Sequence, residues 1–382
     1  MTTALIVGAG IGGLAAGVAL QRRGWRTRIF ECAANPRELG FALNLAGNAI
    51  AALRELGVAD EIVGRGYAPR VAEFRTDGGR VLRRINAHTL VLDSAVAMRP
   101  VVHGALLSAV GIDALELSRE AVGFETNGRG VTLSFRDGGT ESGDILIGAD
   151  GVASSIRRQL HPGEAPPRAS GYSALRGAVD DVGAILGPLD AVGYLVPRME
   201  AAVVRASPGA AYWYMSLLSE DIPSGLGDPR SICTHFTPRL DDTFRQLTGA
   251  TRDEDMRFDE LFERPLLSRW GHGRVTLLGD AAHPMLPHTG QGAAQAMEDA
   301  VALSLALSRF ADHEQALRRY EDVRSARTAR FVKAGPRIAR VTTSTSTIVA
   351  GVRNAVVRLA PTALIVRALQ NTNPRDPHAS LR

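Results

Sequence analysis

The sequence is poor in the features that mark secreted, metal-binding and membrane-spanning proteins. It has two cysteines in 382 residues, Cys32 and Cys233, and their separation matches neither a CxxC redox pair nor a metal-binding spacing. The apolar run at residues 4–7 is too short for a secretory signal and leads directly into glycines. With 45% hydrophobic and 22% charged residues, the chain also lacks the composition of a disordered protein. We therefore predict a globular protein of the cytoplasm.

Lysine is almost absent, and the charge is unevenly distributed. From Arg324 onward the chain has eleven Lys or Arg residues and one acid, Asp376, so the residues before Arg324 are net acidic. Such a basic tail can bind nucleic acid or a membrane surface, or it can pack as a helix on the acidic remainder. We favour the packed helix, expect no nucleic-acid partner, and keep membrane contact as the less favoured alternative. We expect a monomer or a homodimer.

The N-terminal residues have the pattern of a β-α-β unit that binds a dinucleotide. A short apolar strand at residues 3–7 is followed by the glycines Gly8, Gly10, Gly12 and Gly13, a helical stretch, and a second strand that ends at Glu31. In this pattern one glycine makes the turn, one admits a pyrophosphate to the helix N-terminus, and one allows close packing. The carboxylate of Glu31 is placed to accept hydrogen bonds from ribose hydroxyls. The pattern does not distinguish FAD from NAD.

A second segment favours a flavin. Asp280 lies at the end of an apolar run, and Gly290, Gln291 and Gly292 then lead into a long apolar helix predicted over residues 291–310. A carboxylate at a strand end can bind a sugar-like hydroxyl chain, and the amides at a helix start stabilise negative charge. A reduced flavin carries such a charge, whereas a nicotinamide does not.

Three arginines and one aspartate are further candidate cofactor ligands. Asp150 follows a strand at residues 144–147, and Arg157 is predicted to offer its forked donors to a phosphate. Arg99, at the start of a predicted helix, resembles the arginine that approaches the FAD phosphates or ribityl chain in the family described next, and Arg37, in the loop after Glu31, is a weaker candidate of the same kind. Solvated surface arginines are the alternative for each.

These segments together resemble the FAD-dependent aromatic-ring monooxygenases of the para-hydroxybenzoate hydroxylase fold, and most closely the salicylate-hydroxylase-like members. Members typically read GDAAHxMxPxxGQG, and residues 279–292 of this chain read GDAAHPMLPHTGQG, followed by EDA at 298–300. The run DILIGADGVASSIR at 144–157 resembles the family's "DG" segment. The resemblance spans the chain to about residue 300. It implies bound FAD, NADPH or NADH as co-substrate, and O2.

The resemblance also implies a reaction and an architecture. The reaction is hydroxylation of an aromatic or related electron-rich small molecule through a flavin C4a-hydroperoxide. The expected fold is α/β (α+β mixed), with a Rossmann-like FAD-binding domain at residues 1–169 and 270–340. A β-rich substrate domain is inserted at 170–269, to which residues 71–97 could add strands, and residues 341–382 form a C-terminal helical segment.

The substrate contacts are harder to predict. Along residues 211–218, alternation puts Tyr212 and Tyr214 on one face of a strand, but the sequence does not say which face lines a pocket. Arg205 is a candidate partner for an acidic substrate. The other candidates lie near the expected flavin: Phe41, where relatives carry small residues, and Met285 as substrate contacts, Pro287 and His288 as catalytic residues, and His283 as either a base or an orienting residue.

Two other functions remain open from the sequence. The same scaffold supports FAD-dependent epoxidases and dehydrogenases acting on isoprenoid or indole-type substrates. It also supports non-catalytic binding proteins, which the intact glycine loop with Glu31 and Asp280 argues against.

Overall fold

The computed structural model describes residues 1–35, 41–86, 94–361 and 381. Arg37 and residues 87–93 therefore lie outside the described residues, as does most of the chain after Pro361. The strands are β1 Thr3–Val7, β2 Arg26–Phe30, β3 Ala42–Leu45, β4 Val71–Arg75, β5 Val81–Asn86, β6 Ala95–Met98, β7 Leu115–Glu116, β8 Ala121–Thr126, β9 Val131–Phe135, β10 Thr140–Gly143, β11 Ile145–Gly148, β12 Arg168–Asp180, β13 Ala191–Val196, β14 Met199–Arg205, β15 Ala210–Leu218, β16 Met256–Glu263 and β17 Val275–Leu277. The helices are α1 Ile11–Gln21, α2 Gly47–Leu56, α3 Ala59–Arg65, α4 Arg99–Val110, α5 Ser155–Leu160, α6 Gly183–Leu186, α7 Pro229–Phe236, α8 Asp242–Ala250, α9 Gly292–Arg309, α10 His313–Thr342 and α11 Thr347–Leu359.

A parallel five-stranded sheet forms the centre of the nucleotide-binding layer. Its order is β17-β11-β1-β2-β7, so β11 lies between the N-terminal strand β1 and the much later strand β17. The central strands β1 and β11 are apolar and buried, as expected where helices or a second sheet cover both faces. Helix α9 packs against α1, α2 and α10. The antiparallel sheet β10-β9-β8 and the β3-β6 pair complete this layer.

A seven-stranded mixed sheet forms the second layer, with the order β16-β12-β15-β14-β13-β4-β5. Residues 71–86 thus supply two of its strands, and β4 pairs with β13 in parallel. Two helices that the sequence pattern did not reveal, α7 and α8, pack on its outer face. They are short, and each begins at an aspartate, Asp228 or Asp241, whose side chain accepts a hydrogen bond from a backbone amide of the first turn.

The structure resolves which face of β15 lines the inter-layer space. Trp213 and Met215 are fully buried in the outer core with Phe244 of α8. The indole of Trp213 donates to the Thr251 hydroxyl at 2.8 Å. Tyr212, Tyr214 and Ser216 alternate with these residues and therefore face the nucleotide-binding layer.

Arg205 is a correction to the predicted substrate contacts. In β14 it pairs with Ala211, whose side chain lies on the outer face with Trp213. Its guanidinium donates to the carbonyls of Leu189 at 2.9 Å and Gly187 at 2.8 Å, and it lies 3.7 Å from Asp190. Arg205 therefore stabilises the turn before β13, on the side of the sheet opposite to Tyr214.

Helices α10 and α11 end the described main part of the chain. Gly335 lies against Leu286, where a Cβ would come within 3.2 Å of the Leu286 Cβ, so α10 approaches the GDAAH segment closely. Helix α11 packs on α10 and β5 through its Ala350 and Arg353 side. Among the residues described, no helix is both long and apolar enough to cross a membrane.

Candidate active site

The glycine loop closes tightly between β1 and α1. Gly8 has a φ of 101°, and a Cβ there would lie 2.5 Å from the carbonyl oxygen of Ala149. A Cβ at Gly13 would lie 1.9 Å from the carbonyl oxygen of Gly8, and one at Gly12 would lie 2.8 Å from the Leu278 side chain. Gly10 precedes α1, whose first turn has no side-chain cap within the described residues. The helix start is therefore open to an anion such as a pyrophosphate.

Glu31 and His103 stabilise the loop from two sides. The Glu31 carboxylate accepts hydrogen bonds from the amides of Ala9 and Ala33, each at 2.9 Å. The His103 ring of α4 lies 2.8 Å from the Ala9 carbonyl, and burial lowers its pKa, so this imidazole is neutral. Glu31 thus lies at the loop, where the sequence predicted a ribose ligand, while the contribution of His103 was missed.

Asp150 and Arg157 both make hydrogen bonds within the protein, and Asp150 also adjoins the glycine loop, where a Cβ at Gly8 would lie 3.1 Å from the Asp150 Cα. Asp150 accepts from the Ser154 hydroxyl at 2.5 Å and from the Ser155 amide at 2.7 Å, and so caps α5. Arg157 is fully buried and donates to the Ala281 and Ala282 carbonyls at 3.0 and 3.1 Å. The prediction that Arg157 binds phosphate is therefore wrong, because its donors connect the "DG" segment to the GDAAH segment.

Asp280 and Arg99 approach each other where the resemblance places the flavin's sugar chain. The Asp280 carboxylate reaches solvent, but the surrounding protein desolvates it and raises its pKa, an effect that His283 and Arg99 partly offset. Burial lowers the pKa of Arg99, and the charge of Asp280 opposes this shift. The two side chains are thus electrostatically coupled, and the carboxylate is open to a ligand.

His283 faces away from this opening and belongs to a buried ionic network. Its Nε2 lies 2.6 Å from Asp299 Oδ2, which also accepts from the Gly279 amide at 3.0 Å. Arg324 of α10 donates to Asp299 Oδ1 at 2.6 Å. Burial alone would raise the pKa of Asp299, but His283 and Arg324 hold it below its usual value. His283 therefore orients the turn, which is the structural alternative given above.

The network continues to the start of α9. Glu298 accepts from Arg324 at 2.5 Å and from Asn48 at 2.6 Å, and the same Asn48 amide donates to the Gln291 side chain at 2.9 Å. Burial opposes ionisation of Glu298, but Arg324 and Arg327 lower its pKa to about 2. This network fixes Gln291, and with it Gly290 and Gly292, relative to α2.

The substrate side presents two polar pairs. His288 Nε2 lies 2.8 Å from the Ser216 hydroxyl, which puts the end of the GDAAHPMLPH segment against β15. Tyr214 donates to Glu200 Oε1 at 2.9 Å. Within the described residues, Glu200 Oε2 and His288 Nδ1 are buried and have no hydrogen-bond partner. Burial lowers the pKa of His288, so its ring is neutral near pH 7.

Aromatic rings line the other end of this face. The centroids of the Phe41 and Tyr212 rings lie 6.0 Å apart. The Cζ atom of the Arg176 guanidinium lies over the Phe41 ring, 4.7 Å from its centroid. Tyr212 stacks on Tyr214 at 6.0 Å, and burial raises the pKa of Tyr212 to about 12. Phe41, Tyr212 and Tyr214 are therefore brought together as predicted candidates, with Arg176 added by the structure.

Pro287 and Met285 lie between the two layers. Pro287 is exposed and begins the turn that carries His288, and Gly290 ends that turn with a φ of 62°. Met285 is half-buried, with its sulfur 3.9 Å from the Thr289 hydroxyl. Arg37 is outside the described residues, so its predicted role stays a prediction.

The geometry fits FAD. A side chain at Gly8, Gly12 or Gly13 would clash with neighbouring atoms, and the start of α1 that follows has no side-chain cap among the described residues. Asp280, further along the same edge of the parallel sheet, is exposed and can bind a ligand. Gly8, Gly10, Gly13 and Glu31 would bind the adenosine and pyrophosphate end, and Asp280 the sugar chain of the flavin. The start of α9 at Gly292 would face the ring.

Comparison with known proteins agrees with this geometry. The family described as FAD binding domain matches residues 1–334. The chain belongs to this family. It is 32% identical over 364 residues to the aurachin C monooxygenase/isomerase of Stigmatella aurantiaca, covering 94% of each chain. It is 31% identical to 3-hydroxybenzoate 6-hydroxylase 1 of Aquipseudomonas alcaligenes, covering 85% of this chain and 86% of the relative.

A solved structure shows the same architecture. Klebsiella pneumoniae HpxO complexed with FAD and uric acid superposes with a TM-score of 0.90 at 26% identity, covering 97% of this chain and 96% of that one. The predicted α/β fold, FAD as cofactor and an FAD-dependent monooxygenase are thereby confirmed.

Proposed function

We propose that this monooxygenase hydroxylates a planar aromatic or heteroaromatic small molecule bound between the tyrosine face of β15 and the GDAAHPMLPH segment. The observation that carries the proposal is the cluster of Phe41, Tyr212 and Tyr214 on the inner face of the sheet, in line with Ser216 and His288. Rings of this kind offer flat apolar contact to a planar substrate.

Two buried polar atoms are proposed to orient the substrate. Glu200 Oε2 and His288 Nδ1 lack partners among the described residues, and a buried acceptor without a partner costs about 1–3 kcal/mol. A ring N–H or O–H donor would satisfy Glu200, whose other oxygen is held by Tyr214. We therefore propose that the substrate carries such a donor.

The chain's own residues would then control protons and water. Bound FAD, reduced by NADPH or NADH, supplies the electrons with which O2 is activated. Neutral His288 can accept the proton of a substrate hydroxyl at Nδ1, because Ser216 occupies Nε2. Pro287 and Met285 would lie against the flavin ring and exclude water from it.

The proposal is tested with the purified FAD-loaded protein and a panel of neutral phenols, hydroxyquinolines, purines and benzoates. We expect at least one planar compound with an N–H or O–H donor to accelerate NADPH or NADH oxidation about tenfold, with 18O from 18O2 in a hydroxylated product. Acceleration with peroxide as the only product identifies an unreactive ligand. Label found as an epoxide in added alkenes, with aromatic compounds inert, would support the epoxidase alternative instead.

We further propose that the enzyme acts in the cytoplasm as a monomer or homodimer, without a nucleic-acid partner. We also propose an FAD-binding domain at residues 1–169 and 270–340, a substrate domain at 170–269 and a C-terminal helical segment at 341–382. Of residues 71–97, which could join the substrate domain, β4 and β5 lie in the seven-stranded sheet, whereas β6 pairs with β3. Cell fractionation and light scattering of the purified protein test these statements.

A further inference from the structure

Exposed apolar side chains are concentrated at the C-terminal end of the described chain. Of the fourteen large hydrophobic residues that are exposed in the described part of the chain, seven lie within residues 338–359: Ile338, Val341, Ile348, Val349, Val352, Val356 and Leu359. Ile348 is 77% exposed and Leu359 75%. Single exposed apolar residues are ordinary, whereas a contiguous group indicates a docking surface.

Helix α11 orders five of these residues along one side. Residues 348, 352, 356 and 359 follow the spacing of one helical face, and Val349 adjoins it. The opposite side is attached to the protein through buried Ala350 and Arg353. Arg353 donates to the Val341 carbonyl at 3.3 Å. The helix is therefore docked by its inner side, as predicted for the tail, while its outer side is apolar and uncovered by the described residues.

Positive charge is concentrated on the two helices that carry these apolar residues. Residues 323–361 contain eight Lys or Arg residues and no acid. Arg324 and Arg327 are used internally by Glu298. The remaining exposed basic residues lie on α10 and α11: Arg330, Lys333, Arg337, Arg340 and Arg358.

We propose that α11 and the C-terminal half of α10 bind the surface of an anionic phospholipid bilayer, with α11 lying in the headgroup plane. An apolar stripe flanked by Lys and Arg is the pattern of interfacial helices. A nucleic acid would match the charge but leave the valines uncovered, and a second copy would bring two basic surfaces together. The bilayer satisfies both features of the surface.

The surface lies beside the substrate sheet. The Arg198 amide, between β13 and β14, donates to the Ser344 carbonyl before α11 at 3.2 Å, and Arg353 lies within electrostatic range of Glu200. If the proposed function holds, membrane binding places the substrate side of the enzyme next to the bilayer. The binding proposal itself does not depend on activity.

The test is flotation of the FAD-loaded full chain with phosphatidylcholine vesicles, with and without phosphatidylglycerol, at low and high salt. We expect about tenfold more bound protein on the anionic vesicles and loss of that excess at high salt. Val352→Asp combined with Val356→Asp should reduce binding about tenfold, because charged residues replace the inserted apolar side. Arg337→Glu combined with Arg340→Glu should reduce it by at least as much.

Val122→Asp, at an exposed valine of β8, is the matched control and should bind like the parent. Flavin content and melting temperature should be unchanged in all these variants, which separates lost binding from misfolding. Absence of binding by the parent chain, or equal binding to neutral and anionic vesicles, would overturn the proposal. So would light scattering in which the valine variants convert a dimer to a monomer, since a second copy would then be the partner.

Discussion

The two layers that meet at the candidate active site differ in how their polar groups are used. In the nucleotide-binding layer, the oxygens of Asp299 and Glu298 are occupied by Arg324 and its neighbours, and the glycine loop has no spare volume. On the substrate sheet, Glu200 Oε2 is buried without a hydrogen-bond partner among the described residues, and so is His288 Nδ1 on the facing turn. The nucleotide-side network also leaves two such atoms, Asn48 Oδ1 and His283 Nδ1, so the contrast between the layers lies in the carboxylates. Fully paired carboxylates suit a cofactor that stays bound, whereas a carboxylate with an unpaired oxygen suits a ligand that comes and goes.

Gly13→Ala tests the nucleotide-binding layer, and we expect it to have the largest effect of the variants considered, which is loss of bound flavin. Its Cβ would meet the Gly8 carbonyl oxygen at 1.9 Å, so the loop must open, and we expect no flavin to be retained on purification. Absorbance at the flavin bands measures the effect. Gly104→Ala in α4, where no atom lies within 4 Å of the added Cβ, is the control and should keep flavin with stability unchanged or about 1 kcal/mol higher.

Glu298→Gln tests the buried network. It removes one of the two carboxylates that pair with buried Arg324 and leaves only Asp299, so we expect the free energy of unfolding at pH 7 to fall by about 3–5 kcal/mol. Because the folded pKa of Glu298, about 2, lies below the ordinary 4.5, its contribution is present above pH 4.5 and is lost as the pH falls toward 2.

The difference between Glu298→Gln and the parent should therefore shrink below pH 4. Denaturant titration at several pH values measures it. Glu120→Gln, which breaks the exposed pair with Arg136, should leave the free energy of unfolding almost unchanged because solvent screens the pair. If both variants lower the free energy of unfolding equally, the buried network contributes no more to stability than an exposed ion pair.

Asp280→Asn tests the open carboxylate. Losing a charged acceptor for the sugar chain should weaken FAD binding roughly tenfold to a hundredfold, while the melting temperature of the protein without FAD stays unchanged. Fluorescence titration of the FAD-free protein gives the affinity. Asp242→Asn, on exposed α8 surface, should leave it as it was.

A pair of variants on neighbouring residues of β15 sharpens the contrast between the faces of the sheet. Tyr214→Phe should lower kcat/KM for the substrate about tenfold without changing flavin content, because it releases Glu200. Trp213→Phe should instead lower stability by about 1 kcal/mol or more through loss of the Thr251 bond, with kcat/KM retained. If Trp213→Phe lowers kcat/KM and Tyr214→Phe does not, the substrate binds on the outer face of the sheet.

The pH dependence of turnover gives the smallest expected effect. Burial holds the pKa of His288 below 6.5, so the neutral ring predominates at pH 7 and is lost as the pH falls through that lowered pKa. The kcat/KM profile should therefore fall on the acid side below pH 6.5, and His288→Gln should abolish that limb. If kcat/KM of His288→Gln still falls at acid pH, another titrating group causes that fall.

The sequence predicted some of this site because local spacing encodes it. The glycines fix the loop geometry whatever surrounds them, and the period of two along residues 211–218 separates Tyr214 from Trp213. It did not reveal α7 and α8, which are short helices. Nor did it reveal the partners of Arg157, because a guanidinium can donate to carbonyl oxygens as well as to a phosphate, and its position in the sequence does not say which it meets.

By itself the sequence determined the cofactor class, the N-terminal β-α-β unit and the GDAAH turn, since each depends on residues close together in the chain. Only the tertiary structure decided which face of β15 is inward, that Arg205 and Arg157 serve the fold, and that His283 is held by Asp299. These outcomes depend on which distant segments become neighbours, and the burial that follows sets which polar atoms are used and which remain for a ligand.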